Sequence, residues 1–168
     1  MSAWAMLLSL VLAGALQAML PAAAALGGAV APVLTGLVVH YALTRSTGAL
    51  LFAAAMAGIV QDALGLVPLG YSSAAFCLVG WMIHRWRSEV YEASSLTHAV
   101  FGALSAGGVC LLQALLLAAG EGLRPGGWAV ALKTIGASLL GAVCVPWICA
   151  LARRLDEALG VISLEARR

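Results

Sequence analysis

The chain has 168 residues, of which 63% are hydrophobic and only 10% are Asp, Glu, Lys or Arg, and its formal net charge is +2. Soluble domains carry about 25% charged residues, and a 17.1 kDa fold has too much surface to hide this much apolar side chain, given a mean hydropathy of +1.03. A soluble enzyme, a nucleic-acid-binding domain and a disordered tail are excluded, which leaves an integral membrane protein of one domain.

The spacing of charges supplies the elements. No charged residue precedes Arg45, and uncharged stretches then run over 46–61, 63–84, 93–120 and 134–152. A helix needs about 20 apolar residues to cross a bilayer. Each crossing must also satisfy its backbone groups internally, and no barrel-like alternation is visible. The expected fold class is all-α: a bundle of six transmembrane helices near 3–25, 29–44, 48–66, 70–86, 95–119 and 128–152.

The first run, 3–25, reads as a retained span, because no Lys or Arg forms a signal-peptide n-region before it. Pro21 and Gly27-Gly28 separate it from the second. Pro32 suits the first turn of that second helix. The second span is short, and a half-depth re-entrant segment is its alternative. Spans three and four are joined by a tight turn over Gly65, Leu66, Val67, Pro68, Leu69 and Gly70. Small residues recur four apart, at Ala54 and Gly58, at Ala99, Ala103 and Gly107, and at Ala137 and Gly141. Such steps let helix backbones approach closely. After the 1–152 domain, Leu151, Leu155, Leu159 and Ile162 share one helical face, with Arg153, Arg154, Asp156, Glu157 and Glu165 elsewhere. Residues 153–168 therefore read as a short amphipathic tail on the cytoplasmic surface.

Seven arginines, Arg45, Arg85, Arg87, Arg153, Arg154, Arg167 and Arg168, fall on one side of this topology. Arg124 and Lys133 fall on the other. The positive-inside rule puts both termini in the cytoplasm. Trp4, Tyr41, Trp81 and Trp86 then lie near the inner boundary and Tyr71 and Trp128 near the outer one, as an aromatic belt requires. Trp147 sits deeper and reads as a packed side chain.

Catalytic and metal-binding patterns are absent from the sequence. Cys77, Cys110, Cys144 and Cys149 read as small buried apolar residues, with no zinc spacing. His40, His84 and His98 read as interfacial polar caps with no acidic residue near them in sequence. Asp62, beside Gln61, is the one acid inside a span. A charge there costs about 3 kcal/mol or more and so faces the bundle with a partner. The expected partner is Lys133, Arg124 or the backbone of the Gly65–Gly70 turn.

Ala57-Gly58-Ile59-Val60-Gln61-Asp62-Ala63-Leu64-Gly65-Leu66-Val67-Pro68-Leu69-Gly70 is similar to the pattern of the rod shape-determining MreD family: a Gly, a few apolar residues, an Asp, then a short turn ending in Leu-Gly. The apolar stretch that follows, ending in Arg85-Trp86-Arg87, also resembles that family's fourth helix and basic inner loop. The resemblance implies a non-enzymatic subunit of the bacterial inner membrane, without a cofactor or metal. It implies as partners a single-span, coiled-coil MreC-like protein, an actin-like MreB filament, a peptidoglycan polymerase and transpeptidase, and membrane lipid. No nucleic acid is expected, and a homo-oligomer stays open. Gly58, Asp62, Gly65, Pro68, Gly70, Lys133, Arg85 and Arg87 are the candidate structural or partner-binding residues.

The family fold resembles the substrate-binding S component of energy-coupling-factor transporters, which is the rival reading: uptake of a vitamin or metal through an outward cavity. Asp62, Gln61, Gln113, Tyr71, Trp128 and Gln17 are the few polar or aromatic groups available to line one, and their scarcity favours the scaffold. The topology is testable directly. Reporter fusions after Arg45, Arg87 and Arg168 should all give a cytoplasmic signal, and a periplasmic signal at any of them would overturn the six-span arrangement.

Overall fold

The computed structural model describes residues 3–23, 27–65, 68–86, 95–120 and 126–158. Six helices account for nearly all of them: α1 (Ala3–Met19), α2 (Val33–Thr44), α3 (Thr47–Gly65), α4 (Tyr71–Arg85), α5 (Ser95–Gly120) and α6 (Gly127–Ala158). Among the described residues there is no strand, only an isolated pairing of Ala23 with Ala29. Three helices have segments long and apolar enough to cross a membrane, over Thr47–Gly65, His98–Ala119 and Gly127–Asp156.

The expected second span is the largest departure from six full-length crossings. Its helix is only 12 residues, about 18 Å at 1.5 Å per residue, against a hydrocarbon core of about 30 Å. Pro32 is the N-cap rather than a first-turn residue. Before it, Gly27 and Gly28 take positive φ values of 66° and 76°. That local geometry lets the chain double back, with the Ala23 N–H donating to the Ala29 carbonyl at 2.9 Å. Every residue of α2 from Val33 to Ala42 is buried, as expected of a helix that is apolar all round. It is the central element and touches all five other helices.

The core forms around this helix. Leu34, Val38, Val39 and Tyr41 of α2 meet Leu10 of α1, Leu50 of α3, Phe76 of α4 and Val145 of α6, each at most 2% exposed. Tyr41 was expected in an aromatic belt. It is instead buried, and its hydroxyl lies 2.6 Å from Ser9 Oγ. Trp147, expected to be packed, is 77% exposed. It belongs to an outward stripe on α6, four residues apart, running Ile135, Leu139, Val143, Trp147, Leu151 and Leu155.

The small residues make intramolecular seams. A Cβ on Gly58 would fall on the backbone of Ser73, so Gly58 sets how closely α3 meets α4. Gly141 does the same between α6 and α5, where it faces the Gly102 backbone and Ala106, and Gly107 faces Ser138. Gly48, at the start of α3, has nothing within 4 Å of its Cβ direction. Gly58→Ala should therefore cost about 1–3 kcal/mol by overpacking, whereas Gly48→Ala should be neutral or mildly stabilising. Unfolding in mild detergent measures both. Equal stability of the two variants would contradict the seam.

Candidate functional site

Polar side chains gather at the two ends of α2. At its N-terminal end the organising group is Asp62, 1% exposed near the end of α3. The N-cap position of α4 is Gly70, at φ 110°, which has no side chain to offer. Asp62 supplies the missing acceptors from another helix. Its Oδ2 accepts the Gly70 N–H at 2.7 Å and its Oδ1 accepts the Ser72 N–H at 3.1 Å. A carboxylate at a helix N-terminus satisfies orphan donors and opposes the positive end of the dipole.

Of the three expected partners of Asp62, the structure selects the turn. Lys133 is exposed and forms no ion pair among the described residues. Arg124 lies outside the described residues. Ser73 reinforces the corner by donating from Oγ to the Ala55 carbonyl at 3.0 Å.

The network extends on both sides. Gln113 of α5 donates from Nε2 to Ser72 Oγ at 2.6 Å. Gln17 of α1 donates from Nε2 to Gln61 Oε1 at 2.6 Å, and its own Oε1 accepts the Leu34 N–H at 3.0 Å. The last bond caps α2, whose N-cap Pro32 likewise provides no side-chain acceptor. Gly65 and Pro68 are exposed beside the turn, and Leu66 and Val67 lie outside the described residues.

Behind this corner a cleft of about 120 Å³ opens among α2, α3, α4, α5 and α6. Its polar lining is Thr35, Gln61, Gln113 and Lys133, with Gly28 and Pro32 among the other lining residues. Of the six side chains expected around an outward cavity, only Gln61 and Gln113 line it. Asp62 and Gln17 are committed to caps, Tyr71 is not among the lining residues, and Trp128 is 79% exposed.

At the C-terminal end of α2 the organising group is Asp156. It is 4% exposed, and its Oδ2 lies 3.1 Å from His40 Nε2 and accepts from an Arg45 terminal nitrogen at 2.8 Å. His84 of α4 brings its Nδ1 within 2.8 Å of the Ala42 carbonyl and its Nε2 within 3.0 Å of Thr47 Oγ1. These contacts collect the C-terminal ends of α2, α4 and α6, and with them Arg45, Arg85, Arg153 and Arg154, at one end of the bundle. Arg85 is exposed there, and Arg87 lies outside the described residues. His98 Nδ1, near the start of α5, is buried with no protein partner among the described residues.

Span six runs on into the first part of the expected tail. Helix α6 continues without interruption from Ala152 to Ala158, and Asp156 is part of the bundle. Leu151 and Leu155, expected to share the apolar face of the tail, are 58% and 53% exposed. The buried face is Val145, Cys149, Ala152 and Asp156. Continuing the inward stripe of span six at helical spacing points to Asp156, a signal the amphipathic-tail reading passed over. Residues 159–168, including Leu159, Ile162, Glu165, Arg167 and Arg168, lie outside the described residues.

The chemistry available is positional. No group of three or more His, Cys, Asp or Glu side chains could hold a metal ion among the described residues. The four cysteines are free thiols, with Cys149 buried and the others half-buried. Comparison of the chain with protein-family models, with curated proteins and with solved structures finds no match in any of the three.

The capping geometry ranks substitutions at Asp62. Asp62→Ala leaves the buried Ser72 N–H without an acceptor, at about 1–3 kcal/mol, and gives up the Gly70 bond at the exposed turn, whereas Asp62→Asn keeps one acceptor and should lose less. A double-mutant cycle with Lys133→Ala should give a coupling energy near zero. A coupling above about 1 kcal/mol would restore the ion pair.

Proposed function

We propose that this chain is a non-enzymatic, multi-pass scaffold of the bacterial inner membrane that serves cell elongation. It ties an MreC-like single-span, coiled-coil protein to the actin-like MreB filament and to the peptidoglycan polymerase and transpeptidase, in the manner of the MreD family that its 57–70 segment resembles.

The observation that carries this reading is the use made of Asp62. The acid at the centre of that segment spends both oxygens on the α3–α4 turn. A carboxylate so committed is a poor general base or ion relay. It is well suited to holding a corner of fixed shape against which another protein can pack. The outward apolar stripe on α6, with Trp147 77% exposed, suits lipid or a partner's transmembrane helix, since soluble surfaces rarely carry apolar patches of this extent. The clustering of Arg45, Arg85, Arg153 and Arg154 at one end supports a cytoplasmic orientation for that end and for both termini.

The test is affinity purification in mild detergent with mass spectrometry of what co-purifies. An MreC-like protein and penicillin-binding proteins should be recovered with the wild-type chain. Recovery should fall with Asp62→Ala under conditions where the variant remains folded. Recovery of ATPase coupling subunits instead, with no elongation protein, would replace the scaffold by the substrate-binding alternative.

A further inference from the structure

The cleft behind the Asp62 corner is not explained by scaffolding. Its only charged lining group is Lys133, and no carboxylate lines it. Asp62, the nearest acid in the network, has both oxygens occupied by Gly70 and Ser72. Lys133, an exposed side chain, forms no ion pair among the described residues and is available to a ligand.

Three further features point to the same chemistry. Thr35 lies in the first turn of α2 and is 6% exposed, yet its side chain makes no hydrogen bond among the described residues while lining the cleft. Its hydroxyl is therefore free to donate to a group in the cleft. Gln61 spends Oε1 on Gln17 and so offers Nε2 as a donor. Gln113 spends Nε2 on Ser72 and so offers Oε1 as an acceptor. The N-terminus of α2 adds the positive end of its dipole at Pro32 and Thr35.

We propose that this cleft binds an oxyanion group, phosphate or carboxylate, carried by a small polar solute or by a lipid headgroup. Lys133 provides the charge, Thr35 and Gln61 donate hydrogen bonds, and Gln113 accepts one from a hydroxyl or protonated group on the same ligand. At about 10–15 Å³ for each water-sized occupant, the cleft admits a group of phosphate size with room for a neighbouring atom or two. The site goes beyond the scaffold reading and does not depend on which proteins co-purify.

Thermal unfolding of the purified full chain in mild, phosphate-free detergent tests it. The probes are sodium phosphate, sodium succinate, and micelles doped with phosphatidylglycerol. Sodium chloride at matched ionic strength and phosphatidylcholine are the controls. At least one probe should raise Tm saturably while neither control does. A response to phosphate or succinate assigns a soluble ligand, and a response to phosphatidylglycerol alone assigns a headgroup.

Lys133→Ala should weaken the apparent affinity about tenfold or more, as expected for loss of a charge-assisted hydrogen bond. Thr35→Val should also weaken it while leaving the ligand-free Tm nearly unchanged, because the hydroxyl has no hydrogen bond to lose among the described residues. A purely structural Thr35 would lower the ligand-free Tm instead. The proposal is overturned if no probe gives a saturable shift, or if the shift persists unchanged in both variants.

Discussion

The first N–H groups of a helix find no partner in its own turns. Helix α4 begins at Gly70, which has no side chain, and α2 begins at Pro32, which has no side-chain acceptor. In both cases a neighbouring helix supplies the acceptor: Asp62 of α3 for α4, and Gln17 of α1 for α2. The rest of that end follows from these caps. They fix the α3–α4 corner where Gly58 can approach Ser73, and two hydrogen-bonded groups form there, Gln17 with Gln61 and Ser72 with Gln113.

The shortness of α2 explains why polar groups lie at both of its ends. A helix of 12 residues covers about 18 Å, and its buried stretch from Val33 to Ala42 meets polar side chains near both ends. The C-terminal end meets the same demand with Asp156, which brings α6 onto His40 and Arg45. Breaking one member of a buried charged pair strands the other, which typically costs about 3–5 kcal/mol. The two ends of α2 are thus anchored by α1 on one side and α6 on the other.

The short helix also leaves space. Residues 29–32 approach α2 as non-helical chain that turns at Pro32, where the Val33 N–H donates to the Ala31 carbonyl at 2.9 Å, and the cleft forms beside them with Gly28, Val30 and Pro32 in its lining. The corner and the adjacent cleft share Gln61, bonded to Gln17, and Gln113, bonded to Ser72. An occupant of the cleft would therefore act on the same side chains that brace α1 and α4, which offers a physical route from ligand to partner surface.

Composition alone determined that the chain is all-helical and apolar, because few charged residues at wide spacing leave little else. The breaks at Gly27-Gly28 and over the Gly65–Gly70 turn were legible for the same local reason, since Gly and Pro restrict or free φ in a way no neighbour can override, but Pro32 is the N-cap rather than the first-turn residue expected. Asp62 was legible as a group needing a partner, but its partner was not. Gly70 and Ser72 compete with Lys133 only once α3 and α4 have packed, and backbone donors leave no mark in a sequence. The depth of Asp156 was hidden because a helix end can rotate either face inward, and only the packing of α6 on α2 and α5 decided that Leu151 and Leu155 point out while Ala152 and Asp156 point in. The cleft was hidden for the same reason. Thr35, Gln61, Gln113 and Lys133 are scattered along four helices, and only tertiary structure brings them to one place.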